Sequence, residues 1–385
     1  MTKVIQNIHF PVSARSFVEP IVDRFNREHI ETELWVENNP KHQAVLQSLN
    51  VPKRLVGSDL TLNPFAFFKR VLAYRQALRE AQPQVLHAHQ TRASLIPLLA
   101  AYLEKVPVRI YNNHGLPYLG YTGPMRWLLR ALEKSNIALA THTLLVSHSN
   151  LEEAIADNLL PKGKGTIIKS GSAVGIDLDE YDLSKFDPAA ASQARKQFNL
   201  AEDVFVLGYV GRPVKRKGFH LLIAAWQAAN LAEKGAVLLI AGCSDSECQA
   251  VTGYAVPGVK GLGYLNGLTA FYAACDAVTL PSEHEGFPYS MLEGAAAGRP
   301  LIGTDIPGIR CTIRHNETGL LVPKRDPEAL AEAIRLIAED RELRSRLGKN
   351  ARSRVEAEFS RDIVLSGLLA FYQNIGISAS SCGYN

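Results

Sequence analysis

Two carboxylates and a basic loop are the residues of this chain best placed to do chemistry. In SEHEGFPYSMLEGAAAGRP, Ser282 to Pro300, Glu285 and Glu293 are separated by seven residues. The preceding AVTLPS reads as a strand, Ser282 to Pro288 as the loop leaving its carboxyl end, and a small-residue helix is predicted to begin near Tyr289. Such a helix start offers backbone N–H groups and the positive end of the macrodipole, a place for phosphate. Gly286 lets the backbone approach closely. A carboxylate beside phosphate is repelled unless it binds something neutral. A sugar fits, because an ionised carboxylate accepts from two adjacent hydroxyls. With a diphosphate at the helix start, Glu285 reaches a sugar on one side and Glu293 a ribose on the other.

The second stretch is GRPVKRKG, Gly211 to Gly218, directly after the strand VFVLGYVG. Arg212 and Lys217 project from it, with Lys215 and Arg216 as neighbours. A guanidinium fork and an ammonium suit a diphosphate, both to hold it and to stabilise it as a leaving group. Alone, a basic loop is ordinarily a solvated one, and a pair of spaced glutamates is ordinarily a helix start and a surface residue. Their occurrence at two strand ends of one domain favours the chemical reading.

These residues need elements to position them. Short β-branched runs (VIQNIHF, TELWVEN, VLHAH, VRIYNN, TLLVSHS) alternate with amphipathic ones (FVEPIVDRF, PFAFFKRVLAYRQALRE, GPMRWLLRALEK). That alternation predicts an α/β fold with parallel sheets covered on both faces. The rhythm pauses over Lys169 to Phe186 and restarts with VFVLGYVG, AVLLIAG, AVTLPS and PLIGTD. At 385 residues the chain fits two doubly wound, Rossmann-like domains facing across a cleft. The expected division is 1–172 and 173–359, with a helix over 360–376 packing back on the first domain and a flexible tail over 377–385.

Composition bounds the rest. Hydrophobic content of 46% and charge of 21% are ordinary for a globular protein. Five scattered cysteines without paired metal spacing read as reduced thiols. MTKVIQNIHF has no long apolar run, so no signal peptide is expected, and Leu98 to Leu103 is too short to span a bilayer. Net charge is +4 but uneven: residues 41–140 hold 13 Lys and Arg against 4 Asp and Glu. That half is expected to meet something anionic. Phe65, Phe68, Leu72 and Arg79, with Lys69, Arg70 and Arg75 nearby, lie at helical spacing in one segment. Tyr121, Met125, Trp127, Leu128 and Arg130 add a second. An anionic membrane surface is the expected partner rather than nucleic acid, which makes the protein peripheral to the cytoplasmic membrane face.

GYVGRPVKRKG followed by LPSEHEGFPYSMLEGAAAGRPLIGTD resembles the retaining, nucleotide-sugar-dependent glycosyltransferases of family 4, with the GT-B architecture. The resemblance continues through DIPGIRCTIRHNETGLLVP, and in the first half through VLHAHQTRASLIPLLAAYLEKVPVRIYNNHG and LLVSHSNLEEAI. It is closer to enzymes that build capsules, O-antigens and other lipopolysaccharide than to sucrose or glycogen synthases. It implies a UDP-sugar donor, no metal and no cofactor, and transfer with retention of anomeric configuration. The acceptor it implies is a lipid-linked saccharide, a polyprenyl diphosphate. Glu285 is implied to bind sugar hydroxyls, Glu293 the ribose, Arg212 and Lys217 the diphosphate, and Leu265 of the loop GLGYLN the base. Gly286, Phe287, Pro288, Tyr289 and Ser290 complete the donor-binding segment. His114 matches the family's catalytic cleft histidine, acting with Glu285, Arg212 and Lys217. The chain departs from the pattern after its first strand, where FPVSARSF, Phe10 to Phe17, has no glycine. Ser13 and Arg15 then meet either donor phosphate or acceptor, with His89 as a further candidate. The donor sugar is expected to be an N-acetylated hexose or a deoxyhexose.

Two rivals need the same domains. A GT-B-type UDP-sugar 2-epimerase uses a UDP-sugar without a second acceptor. A sugar-nucleotide-binding subunit of a polysaccharide assembly complex does no chemistry. An NAD-dependent oxidoreductase is disfavoured, because no strand is followed by G-x-G-x-x-G.

Overall fold

The structure, a computed structural model, describes residues 2–61 and 63–377. Nearly all of the expected tail, residues 378–385, lies outside the described residues. The chain divides into two compact units, Met1–Gly175 with Asp362–Asn385, and Ile176–Arg361. The divisions fall at 175/176 and 361/362, a few residues beyond the expected 172/173 and 359/360. Backbone pairing accounts for the shift: Ile176 donates to Phe359 O at 2.8 Å and Arg361 donates to Ile176 O at 2.8 Å, which ties both crossings into the second unit.

The first unit holds one seven-stranded parallel sheet. Its strands are β1 (Lys3–Ile8), β2 (Glu31–Val36), β3 (Lys53–Leu55), β4 (Val85–His89), β5 (Val108–Asn113), β6 (His142–Leu145) and β7 (Gly165–Ile167), in the order β3-β2-β1-β4-β5-β6-β7. The second unit's strands are β8 (Val206–Val210), β9 (Val237–Ala241), β10 (Cys243–Ser244), β11 (Val259–Gly263), β12 (Ala277–Leu280), β13 (Leu301–Thr304) and β14 (Gly319–Val322), in the order β10-β11-β9-β8-β12-β13-β14. All pairs in this sheet are parallel except β10 with β11. In each sheet the order reverses beside the first strand, between β1 and β4 and between β8 and β12. Ligands of doubly wound sheets bind outside the carboxyl ends of the strands at that switch point.

Continuous apolar runs form these strands because both sheet faces are covered. Val4, Ile5, Leu86, Leu207 and Val278 are fully buried. The helix Arg361–Asn374 belongs, from Asp362 on, to the first unit, where Tyr372 is fully buried and meets Phe25 edge to face at 4.8 Å. Periodicity marks neither the short strands β3, β7, β10 and β14 nor the glycine-rich β11.

Three expectations are corrected here. Phe10 to Phe17 is not an open loop: Pro11–Phe17 is a helix with proline at its first position, where the missing N–H costs nothing. Secondly, the cations near the exposed aromatic residues are largely engaged within the protein. Arg70 donates to Asp59 O at 2.6 Å, Arg75 and Arg79 both reach Glu104, and Arg126 and Arg130 both bond Asp157. Lys69 is exposed. The aromatic side of the reading stands out more: Phe65, Phe68 and Trp127 are 82%, 69% and 68% exposed. Thirdly, the cysteines are not all scattered. The Cys243 and Cys248 sulfurs approach to 2.8 Å as buried free thiols, both made less acidic by burial. Among the described residues no helix is long and apolar enough to cross a membrane.

Candidate functional site

In the second unit the switch point is made by two loops stitched together. β8 runs into Gly211, a basic single turn Lys215–Lys217, and the helix Phe219–Ala229. β12 runs into Pro281 to Pro288 and the helix Tyr289–Ala296. Gly218 sits at φ +71, and a Cβ there would lie 1.8 Å from Pro281 O, so only glycine permits this approach. Glu283 donates its backbone N–H to Arg216 O at 2.9 Å. A third loop closes from below: a Cβ at Gly308 would meet Glu285 O and Gly286 O at 2.6 Å.

This backbone brings Lys217 to Glu285. Lys217 Nζ lies 2.7 Å from Glu285 Oε1, and Ser282 Oγ donates to the same oxygen at 2.7 Å. Glu285 is buried; Lys217 keeps part of its side chain in solvent. The Tyr209 hydroxyl, 3.1 Å from Arg212 O, shapes the basic loop from beneath. Arg212, Lys215 and Arg216 are exposed on it. Lys217 and Ser282 thus meet one oxygen of a buried carboxylate that lies just before a helix start.

Glu293 lies on the helix Tyr289–Ala296, beside a fully buried tyrosine. Its Oε2 is 2.8 Å from the Tyr272 hydroxyl, which is also 3.0 Å from Ser290 O. One phenolic proton serves only one of them at a time. Burial pushes the Glu293 carboxyl up to about 7, against the Tyr272 hydrogen bond. A pair of donating hydroxyls would restore its charge, which is what a ribose diol offers. Phe287 and Pro288 are buried, the Phe287 ring centroid 5.6 Å from that of Phe359, which leaves their side chains turned to the core. Tyr289 and Ser290 open the helix, and Pro288 stands at its cap without a side-chain hydrogen bond. Leu265 follows β11, two strands from β8, next to a Tyr264 that is 84% exposed.

The first unit's switch point is of another kind. His114 follows β5, and its Nε2 is 3.1 Å from His89 Nδ1. His89 Nε2 is 2.8 Å from Gln6 Oε1, Gln6 Nε2 donates to the Tyr372 hydroxyl at 3.2 Å, and that hydroxyl is 2.9 Å from His87 Nδ1. The amide oxygen can only accept, so His89 carries its proton on Nε2 and offers Nδ1 to the His114 N–H. His114 Nδ1 is left as an acceptor. Burial drives His114 down to about 4 and His87 to about 3, and holds His89 well below its ordinary value, so all three are neutral at pH 7. His89, expected near acceptor or phosphate, is corrected: it is fully buried with both ring nitrogens occupied, and acts on His114 instead. Ser13 lies in the helix Pro11–Phe17, and Arg15 turns toward Ser48 Oγ at 3.5 Å. Sequence reasoning missed Ser282, Tyr272, Gln6 and Tyr372. Only Ser282, three residues before Glu285, carried a local signal. Among the described residues no group of three or more His, Cys, Asp or Glu is arranged to hold a metal ion.

Two Rossmann-like units of this strand order are those of the GT-B class. Solved structures share the fold across 97% of this chain: Anabaena Alr3699/HepE in complex with UDP and glucose (TM-score 0.79, 17% identity, all of that chain) is one. Sucrose-phosphate synthase from Thermosynechococcus elongatus is another, with a TM-score of 0.77 at 20% identity, covering 98% of this chain and 99% of that one. The chain belongs to the glycosyltransferases of family 4. Residues 191–354 match the family model of glycosyl transferases group 1, and residues 23–171 that of the glycosyl transferase 4-like domain. It is 30% identical over 313 residues to the capsular polysaccharide biosynthesis glycosyltransferase CapM of Staphylococcus aureus, covering 80% of this chain and 81% of that one. It is 27% identical over 330 residues to the N,N'-diacetylbacillosaminyl-diphospho-undecaprenol alpha-1,3-N-acetylgalactosaminyltransferase of Campylobacter jejuni, covering 83% and 84%.

Proposed function

We propose that this glycosyltransferase moves an N-acetylated hexose or deoxyhexose from a UDP-sugar to a lipid-linked saccharide in surface polysaccharide synthesis, with retention and without a metal ion. The observation that carries the reading is the Lys217–Glu285–Ser282 cluster at the β8/β12 switch point, with Glu293 on the adjoining helix. Lys217 and Arg212 hold the diphosphate and stabilise its developing charge as it leaves. Glu285 accepts from hydroxyls of the transferred sugar, and Glu293 from the ribose. Glu285 and Glu293 straddle the diphosphate rather than flank one bond, so the paired-carboxylate scheme of glycosidases does not map here. The departing phosphate oxygen takes the acceptor proton on the same face, and the protein supplies position and charge. The first unit supplies His114, whose Nδ1 accepts from a sugar hydroxyl. The names of the relatives from Staphylococcus aureus and Campylobacter jejuni support a polysaccharide product and a lipid-diphosphate acceptor.

Exposed Phe65, Phe68 and Trp127, with Lys69 beside them, rest on the anionic cytoplasmic leaflet. Burying one such aromatic side chain is worth about 2 kcal/mol. Substituting the three with serine should release the protein from anionic vesicles and leave UDP binding intact. Full sedimentation of that variant at low salt would sink the membrane reading.

The activity is tested by incubating the protein and a panel of UDP-sugars with a polyprenyl-diphosphate saccharide in excess EDTA. Product mass and the anomeric coupling constant are then read. A new glycoside with the donor's anomeric configuration is expected. A new nucleotide sugar without acceptor would identify an epimerase, and no reaction with any donor a non-catalytic subunit.

A further inference from the structure

A fully buried glutamate in the first unit stands outside every role assigned so far. Glu133 lies on the helix Gly123–Leu139 and is wholly inaccessible. Thr91 Oγ1 donates to its Oε1 at 2.5 Å. The Tyr111 hydroxyl and Asn113 Nδ2 donate to its Oε2 at 2.6 and 3.0 Å. Thr91 is two residues past His89, and Asn113 is the residue before His114. Asn113 Oδ1 in turn accepts the Gly115 N–H at 2.8 Å, so the backbone is held on both sides of the imidazole. Gly115 sits at φ 135, a region that favours glycine. One carboxylate thus ties the chain just past β4 to the end of β5, the two places that set His89 and His114. A well-packed apolar side chain would serve stability as well or better, since taking a carboxylate out of water is costly.

We propose that Glu133 is the positioning residue for His114, and that its ionised form holds the Asn113–His114–Gly115 segment in the working geometry. The proposal rests on the reading of His114 given above.

The proton balance follows from the partners. Asn113 has only N–H to offer, because its oxygen is committed to Gly115. An ionised carboxylate accepts all three donors at once. A protonated one must place its own O–H, so one of the three hydrogen bonds must reverse, onto the Thr91 or Tyr111 hydroxyl, or be lost. Burial pushes Glu133 up to about 7, opposed by the bonds from Thr91, Tyr111 and Asn113. Tyr111 and Tyr118 are pushed well above their ordinary range, and Arg126, Arg130 and Asp157 gather at Tyr118. Lys134 is exposed on the same helix, and Asn136 bonds Thr91 O.

The test is the pH profile of kcat at saturating donor, where donor affinity drops out. Wild-type kcat is expected to fall as pH drops through about 7. Glu133→Gln should lower kcat at pH 8 by on the order of tenfold or more. It should also lose the acid limb near 7 and keep the wild-type affinity for UDP. Tyr111→Phe removes a bond that favours the charged form, so its acid limb should move to higher pH. A Glu133→Gln enzyme with wild-type kcat and an unmoved limb overturns the proposal. If that variant does not fold, an unmoved limb in Tyr111→Phe overturns it. His114→Ala with full activity would instead overturn the underlying reading, and is measured in the same assay.

Discussion

The two units share a strand order and differ in what they place at its reversal. The β8/β12 switch point is charged: Lys217 meets Glu285 at 2.7 Å, with Arg212, Lys215 and Arg216 on the same loop. At the β1/β4 switch point and the neighbouring β5 end the exchangeable groups are neutral: Gln6, His87, His89, His114 and Tyr372 form a chain of hydrogen bonds without a net charge, with the one carboxylate, Glu133, buried behind it. The same topology thus yields two kinds of chemistry. Charge suits a diphosphate that must be held and released. A neutral imidazole chain fixes one tautomer and presents one acceptor nitrogen, which suits a hydroxyl. Fold alone would assign the two units the same job; side chains at the strand ends separate them.

The largest effect is expected where the charge is. Lys217→Ala or Arg212→Ala should lower transfer by on the order of 10²-fold or more, since each removes a proposed donor to the leaving diphosphate. Rates within a few-fold of wild type in both variants would place the diphosphate elsewhere.

A smaller effect concerns Glu293, whose carboxyl is pushed up to about 7 by burial. If, as proposed, a ribose diol binds its charged form, affinity for an intact UDP-sugar should weaken as pH falls below about 7. The expected change is on the order of tenfold between about pH 7.5 and 5.5, one pH unit being worth about 1.4 kcal/mol for a group that must ionise. Glu293→Gln should bind more weakly and with a flat profile over that range. Calorimetry with UDP-glucose avoids the terminal phosphate of UDP, which titrates near there itself. A flat wild-type profile would remove Glu293 from the ribose.

These contrasts also mark how far sequence reaches. The donor-side residues were legible because each sits in a strand–loop–helix stretch, so Lys217 and Glu285 were both traceable to carboxyl ends of strands. Their direct ion pair was not, because 68 residues separate them and only strand order makes them neighbours. The histidine chain was less legible still: Gln6 and Tyr372 are 366 residues apart, and nothing local to either suggests the other. Glu133 reads in sequence like any acidic residue on an amphipathic helix. Only burial under Thr91, Tyr111 and Asn113 distinguishes it. The surface arginines failed for the mirror reason, since their partners Glu104 and Asp157 come from other elements. Pro11 was the overlooked sign that Phe10 to Phe17 continues into a helix.

The smallest expected difference is in acid stability. His87, His89 and His114 have folded values below the usual 6.5, so the unfolded chain binds their protons first. Stability from this trio is complete above about pH 6.5 and is lost as pH falls toward about 4. Glu133 opposes it, gaining stability on acidification from about 7, but is one group against three. Glu293 acts in the same stabilising direction in the second unit. Hydrogen exchange at about pH 5 should therefore open β4 and β5 before β8 and β12, after correction for intrinsic rates. Earlier opening of β8 and β12 would contradict the assignment of neutral buried imidazoles.

The division of labour is tested most directly by calorimetric titration of UDP into wild type, Lys217→Ala, Glu293→Ala and His114→Ala at one pH. The account predicts that Lys217→Ala and Glu293→Ala each weaken UDP binding by on the order of tenfold or more, as expected for lost hydrogen bonds to charged groups. It predicts that His114→Ala binds UDP as wild type does while failing in transfer. Loss of UDP binding in His114→Ala with retention in Lys217→Ala would contradict it.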